Sequence, residues 1–148
     1  MSTALIRELE AMLEVLHDHG LKVGTPTAHA LLWQIAYRAG DKPTTKGRER
    51  LAAREMFRTQ DEVARLLGVT PKSVGKVCAK LKKAGIHVRK DGRTAAPHKA
   101  MIYRLPTAAE FARALGLQGD QVAVFEDEVR TLAAQRSPKG VPNVAAVA

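Results

Sequence analysis

The chain has 148 residues, 24 Lys+Arg against 15 Asp+Glu and one cysteine. That length accommodates one core with helical additions rather than two large domains. A lone Cys78 rules out an intramolecular disulfide framework and a cysteine-cluster zinc site, and no apolar run approaches a membrane span. The first residues, MSTALIRELEAMLEVL, carry acidic groups within their apolar periodicity, unlike a signal peptide. The expectation is a cytoplasmic protein with no membrane contact. The positive charge is concentrated: residues 38–104 hold 18 Lys+Arg against 6 Asp+Glu, leaving 6 against 9 elsewhere. A basic middle of this kind attracts a polyanion, whereas the acidic ends have no electrostatic reason to touch one.

Along residues 1–24, Leu5, Leu9, Met12, Leu13 and Leu16 recur at helical spacing and predict an amphipathic helix over 3–19, stopped near Gly20. Pro26 and Thr27 introduce a second helix, with Ala28, Leu31, Leu32 and Ile35 on one face; Trp33 and Tyr37, four apart, mark another face expected to pack. Residues 41–48 (DKPTTKGR) read as a loop, and ERLAAREMF after them as a short helix. Thr59 to Glu62 has capping-box spacing. A helix from there runs through Val63, Leu66 and Leu67 to Gly68, which suits the left-handed conformation that ends a helix abruptly. Val69, Thr70 and Pro71 then supply a hydrophobic residue, a cap and a first-turn proline, so another helix starts at once and ends at Gly85.

Beyond it, IHVR and MIYRLP alternate as strands do and predict a two-stranded hairpin with a basic tip at about residues 90–100. Residues 107–135 begin with a second capping box, Thr107 to Glu110, before a short helix. A longer one follows, marked by Val122, Phe125, Val129 and Leu132. Residues 136–148 show no periodicity and read as a mobile tail.

Projected at 100° per residue, the helix after Pro71 separates into two faces. Val74, Val77, Cys78, Leu81 and Ala84 share one arc; Lys72, Lys76, Lys80 and Lys83 share the opposite side, with Gly75 and Ala79 beside them and Lys82 at the margin. Such a stripe alone is ordinarily a solvated face. The residues before it sharpen the reading. Gln60, Ala64, Gly68 and Val74, with Val63, Leu67, Val69 and Val77 between them, stand at the spacing of the helix-turn-helix motif. There a small residue allows close approach, a glycine turns the chain, and valines fill the angle.

With the strand pair and its charged tip behind it, residues 25–106 resemble the winged helix-turn-helix superfamily. The resemblance implies a mainly α fold with a small β-hairpin wing, flanked by amphipathic N- and C-terminal helices. It implies double-stranded DNA as partner, the second helix lying in the major groove and the wing reaching phosphates. By position it assigns Thr70, Lys72, Ser73, Lys76, Lys80 and Lys83 to the groove. Thr59 and Gln60 are assigned as donors to phosphate, and Arg89, Lys90, Arg93, His98 and Lys99 to the wing. The chain departs from a minimal winged helix in the extra basic stretch before the motif, whose Lys46, Arg48 and Arg50 add candidate backbone contacts.

The other chemistries are weaker. His17, Asp18 and His19 do not share a helix face and are not assigned as metal ligands. Cys78 lies on the apolar arc and reads as a core thiol, and the low aromatic content argues against a single-strand stacking platform. Paired carboxylates, a nucleophile elbow and a phosphate-cradling glycine loop are all missing. The reading is therefore not an enzyme, with no catalytic residues, no cofactor, no metal and no evident small-molecule effector. The apolar stripes of the terminal helices either close the core or pair with a second copy, and the favoured expectation is a homodimer that sets two recognition helices about one DNA turn apart. Expected functions are a nucleoid-associated bacterial or phage transcriptional regulator, a plasmid or phage replication or partition protein, or a protein-interaction adaptor on the same fold.

Overall fold

A computed structural model describes residues 3–20, 25–46, 49–90 and 100–135, and for Lys46 and Glu49 the backbone alone. Among these residues lie six helices: α1 (Thr3–Asp18), α2 (Pro26–Arg38), α3 (Gln60–Leu67), α4 (Pro71–Lys83), α5 (Ala108–Ala114) and α6 (Asp120–Gln135). Two small antiparallel sheets join them, β1 (Thr44–Lys46) with β2 (Glu49–Leu51) and β3 (Glu55–Thr59) with β4 (Ala100–Arg104). The architecture is mainly helical with small hairpin pairings. The expected tail at 136–148 and most of the expected basic tip fall outside the described residues, as does the end of the α1–α2 connection.

Helix starts follow the local chemistry of the sequence. Thr25 caps α2, its hydroxyl accepting from the amide of Ala28, with Pro26 at the first position where a missing N–H costs nothing. Thr59 and Thr107 form complete capping boxes with Glu62 and Glu110. The core gathers the apolar faces of every helix. Leu31, Leu32 and Ile35 of α2 lie at its centre with Leu9, Met12 and Leu16 of α1, Val63 of α3, Val74 of α4, Phe111 of α5 and Phe125 of α6. No described helix is long and apolar enough to cross a membrane.

The stripes of α1 and α6 bury each other. Leu5, Leu9, Met12 and Leu16 on one side and Val122, Phe125 and Val129 on the other are all closed to solvent. At the rim of this seam His19 Nε2 lies 3.4 Å from Glu128 Oε2. The homodimer expectation rested on these stripes, and they are used within one chain. Tyr37, expected to pack with Trp33, is instead 46% exposed, with the Arg38 guanidinium 5.7 Å from its ring centre. Ala84, placed by projection on the apolar arc, is also exposed.

The largest correction concerns residues 41–59. The expected loop contains β1, and the expected short helix ERLAAREMF is β2, a turn and the start of β3. Apolar spacing in that stretch fits either period, and the decisive partner is distant: β3 pairs in register with β4, Met56 opposite Tyr103 and Phe57 opposite Ile102. Strand preference is set by such partners more than by the residues themselves. The expected pairing of 86–89 with 101–105 survives as a single bridge, Arg89 to Tyr103, and a hydrogen bond from the Arg104 amide to the Val88 carbonyl. Consequently β4 sits between β3 and the segment that leads into the basic tip.

Arg54, in the turn between β2 and β3, ties these parts together. Its φ of +73° is left-handed, an uncommon conformation for a residue with a Cβ. Its Nε donates to Leu105 O at 3.0 Å and its Nη2 to Pro106 O at 2.7 Å, while the guanidinium pairs with Glu8 of α1. Its amide donates to Gly40 O and its carbonyl accepts from the Leu105 amide. Arg54 lies in the basic stretch before the motif, but its cation is committed to the interior side. Arg54→Ala should lower unfolding free energy by about 2–4 kcal/mol by stranding Glu8 and two carbonyls. Arg54→Gly should recover roughly 1 kcal/mol of that loss by relieving the backbone. Urea denaturation of the three proteins checks both.

Arg104 and Glu110 form a two-pronged ion pair, Nη1 to Oε2 at 2.7 Å and Nη2 to Oε1. Burial raises the Glu110 carboxyl, but bonds from Arg104 and from the Thr107 amide and hydroxyl outweigh it, leaving the group below its usual range. A carboxyl lowered in the folded state stabilises the fold above its unfolded value and loses that contribution as pH falls through the folded value. Glu110→Gln should therefore cost about 1–2 kcal/mol at neutral pH. Its difference from wild type should close as the pH is lowered below about 4. Denaturation at pH 7 and pH 3 measures the closure.

Candidate nucleic-acid interface

The site is built on the turn between α3 and α4. Gly68 adopts φ +70°, and its amide donates to Arg65 O while the Val69 amide donates to Ala64 O at 3.0 Å. These two bonds form a Schellman motif, which satisfies carbonyls that the end of a helix leaves open. Thr70 then caps α4, its hydroxyl accepting from the Ser73 amide at 3.2 Å, and Pro71 occupies the first helical position. Only two residues separate the turn glycine from the new helix. Ala64 is buried where the helices approach, and Val74, fully enclosed, fills the angle between them.

With Val74, Cys78 and Leu81 buried, the helical period sends the lysines outward: Lys72, Lys76, Lys80, Lys82 and Lys83 are all exposed. Thr70 is exposed and its hydroxyl lies 2.9 Å from that of Ser73, which is half-buried. Between α4 and the Val88–Arg89 stretch runs an open groove of about 840 Å³, lined on the helix side by Gly75, Lys76, Ala79, Lys80 and Lys83. Exposed His87 stands on its rim, a residue the sequence reading did not single out although strand alternation turns it outward. Cys78 faces inward. Burial pushes its thiol up, with Arg89 pulling the other way, so it is not a ready thiolate.

Several assigned residues are otherwise engaged. The Thr59 amide donates to Glu62 Oε1 at 2.9 Å and its hydroxyl accepts from the Glu62 amide, so the capping box takes the backbone donor expected to meet phosphate and leaves only the hydroxyl proton. Gln60 and Arg89, expected at the surface, are only 6% and 7% exposed. The helix start that suggested a phosphate donor at Gln60 is itself packed against α4, and Arg89 points into the core from the segment beside β4. Lys90 is exposed and lies 3.4 Å from Glu55 Oε2. Arg50 is exposed on β2, opposite Thr45 of β1. Arg48, Arg93, His98 and Lys99, with the side chain of Lys46, lie outside the described residues.

Thus the structure brings together Thr70, Lys72, Ser73, Lys76, Lys80 and Lys83 on one side of α4 and buries Gln60 and Arg89, the latter still lining the groove beside α4. Electrostatically, α4 presents cations without an acidic side chain anywhere in its sequence. Compared with family models, with curated proteins and with solved structures, the chain matches none.

Because Val74 is fully enclosed between α3 and α4, Val74→Asp should abolish cooperative folding of this region. An unpaired buried carboxylate costs several kcal/mol, on the order of a domain's whole stability. Circular dichroism melts check this, with Lys76→Ala as the control expected to melt like wild type.

Proposed function

We propose that the chain is a sequence-specific, double-stranded DNA-binding protein of winged helix-turn-helix type, a small bacterial or phage regulator that acts on the nucleoid by occupying its site. The observation that carries this reading is the lysine face of α4, exposed along the helix directly after a capped tight turn. A 13-residue helix is about 20 Å long and fits the roughly 12 Å wide major groove. The segment from Ile86 to Lys90, bridged to β4, leads into residues whose sequence adds Arg93 and Lys99, which suits a wing that tracks a phosphate backbone. Phosphate neutralisation by the lysines supplies grip through released counterions. In this reading Thr70 and Ser73, at the start of α4, meet base edges.

Lysine serves mainly as a mobile point charge, and the face of α4 carries no arginine, asparagine or glutamine for two-pronged base recognition. Much of the discrimination then falls to the hydroxyls, to the residues around Arg93, to Arg50 on its hairpin, and to the shape of the DNA.

Fluorescence anisotropy with a genomic fragment pool tests the reading. Affinity should fall by about 100-fold or more between 50 and 200 mM salt if four lysines meet phosphates. Lys76→Ala and Lys80→Ala should each weaken binding on all sequences and reduce the salt slope by about 0.9. An absence of DNA binding at low salt overturns the reading in favour of a protein-interaction adaptor.

A further inference from the structure

Gln60 and Arg89 are polar, closed to solvent and bonded to each other, although 29 positions separate them in the chain. Arg89 Nη2 donates to Gln60 Oε1 at 2.7 Å. The same amide group uses its other end: Gln60 Nε2 donates to the carbonyl of Pro71, the first residue of α4. The amide lies against Gly75, one turn further on, where a Cβ would come within 3.5 Å of Nε2. Arg89 is held from its other side, its guanidinium 5.6 Å from the Tyr103 ring centre and its backbone bridged to Tyr103 in β4.

The chemistry of this chain of bonds has a fixed direction. Arginine can only donate and a backbone carbonyl can only accept, so the group between them must offer an acceptor and a donor at one planar end. A carboxamide does so. Glutamate in its place still accepts from Arg89, now with charge, but turns an acceptor towards Pro71. Placing an arginine where it meets a neutral amide and a ring costs desolvation, and its Nε has no hydrogen-bond partner among the described residues. An apolar residue would fill the same space at lower cost, so the polar bridge is best understood through what it joins. Those parts are the strand segment at the base of the basic tip, the start of α3 and the start of α4.

We propose that Gln60 and Arg89 are positioning residues that lock α4 to the base of the wing, and that DNA discrimination depends on this lock without either residue touching DNA. This rests on the DNA-binding reading above. A helix free to rock against the wing still grips phosphates through flexible lysines. It cannot hold Thr70 and Ser73 in one register with the contacts made by the wing.

Two variants divide the bridge. Gln60→Glu keeps the link to Arg89 and breaks the link to α4; Arg89→Met retains an unbranched stem and breaks the link to the wing base. In the free protein, hydrogen exchange of the Val74 and Gly75 amides should accelerate about tenfold in Gln60→Glu while α6 amides are unchanged. On DNA, both variants should retain the wild-type salt slope and lose about tenfold in the ratio of affinities for a selected site and random sequence. Lys80→Ala should show the converse, a slope reduced by about 0.9 and a preserved ratio. A slope reduced by about 0.9 in Arg89→Met would mean that Arg89 meets a phosphate and would overturn the proposal. So would unchanged exchange in Gln60→Glu, or an unchanged ratio in both variants. If the wild-type chain binds no DNA, the claim about discrimination falls with the reading beneath it, and the exchange comparison still decides whether the amide holds α4.

Discussion

Everything that distinguishes this chain follows from the enclosure of Val74 between α3 and α4. Once that side chain is committed to the core, the period of the helix commits Cys78 and Leu81 with it and leaves the lysines no direction but outward. The commitment is possible because Gly68 reverses the chain within two residues and Thr70 restarts it. A looser connection would let α4 roll and mix its faces. Lysines spaced for one face would then be a charged surface of no fixed orientation.

Around that unit the molecule divides by charge. The α1 helix carries Glu8, Glu10, Glu14 and Asp18 against Arg7, and α6 carries Asp120, Glu126, Asp127 and Glu128 against Arg130. The helices that close the core together are therefore acidic, whereas α4 is wholly basic. In the field of a polyanion such a distribution orients the molecule before contact, drawing one side and repelling the other. Arg54 does not contribute to the basic side despite its sequence context, because its cation is neutralised by Glu8 at the junction of the two regions.

The features legible in the sequence were those decided within a few residues. Both threonine capping boxes, the turn at Gly68, the proline-started α4 and the separation of its faces stand where the spacing puts them, because each is a local transaction between a side chain and nearby backbone groups. What local pattern could not supply was pairing across long separations. Residues 49–57 read as a helix because nothing near them announces β4, and the strand identity of Met56 is fixed by Tyr103. Gln60 and Arg89 were read as surface donors because polarity at a helix start and beside a basic tip ordinarily means exposure. Their burial depends on finding each other, and neither residue alone carries that information.

The seam between α1 and α6 also bears on how the chain reaches this structure. Leu5 and Leu9 find their cover on a helix that begins at Asp120, so the contact closes a loop of more than a hundred residues. By contrast, α3 and α4 adjoin in sequence. Loop closure makes the near contacts cheaper in entropy, so forming the turn costs less than closing the seam. A chain in which this seam is open exposes the face of α1 that α6 covers, even where the turn at Gly68 is already formed.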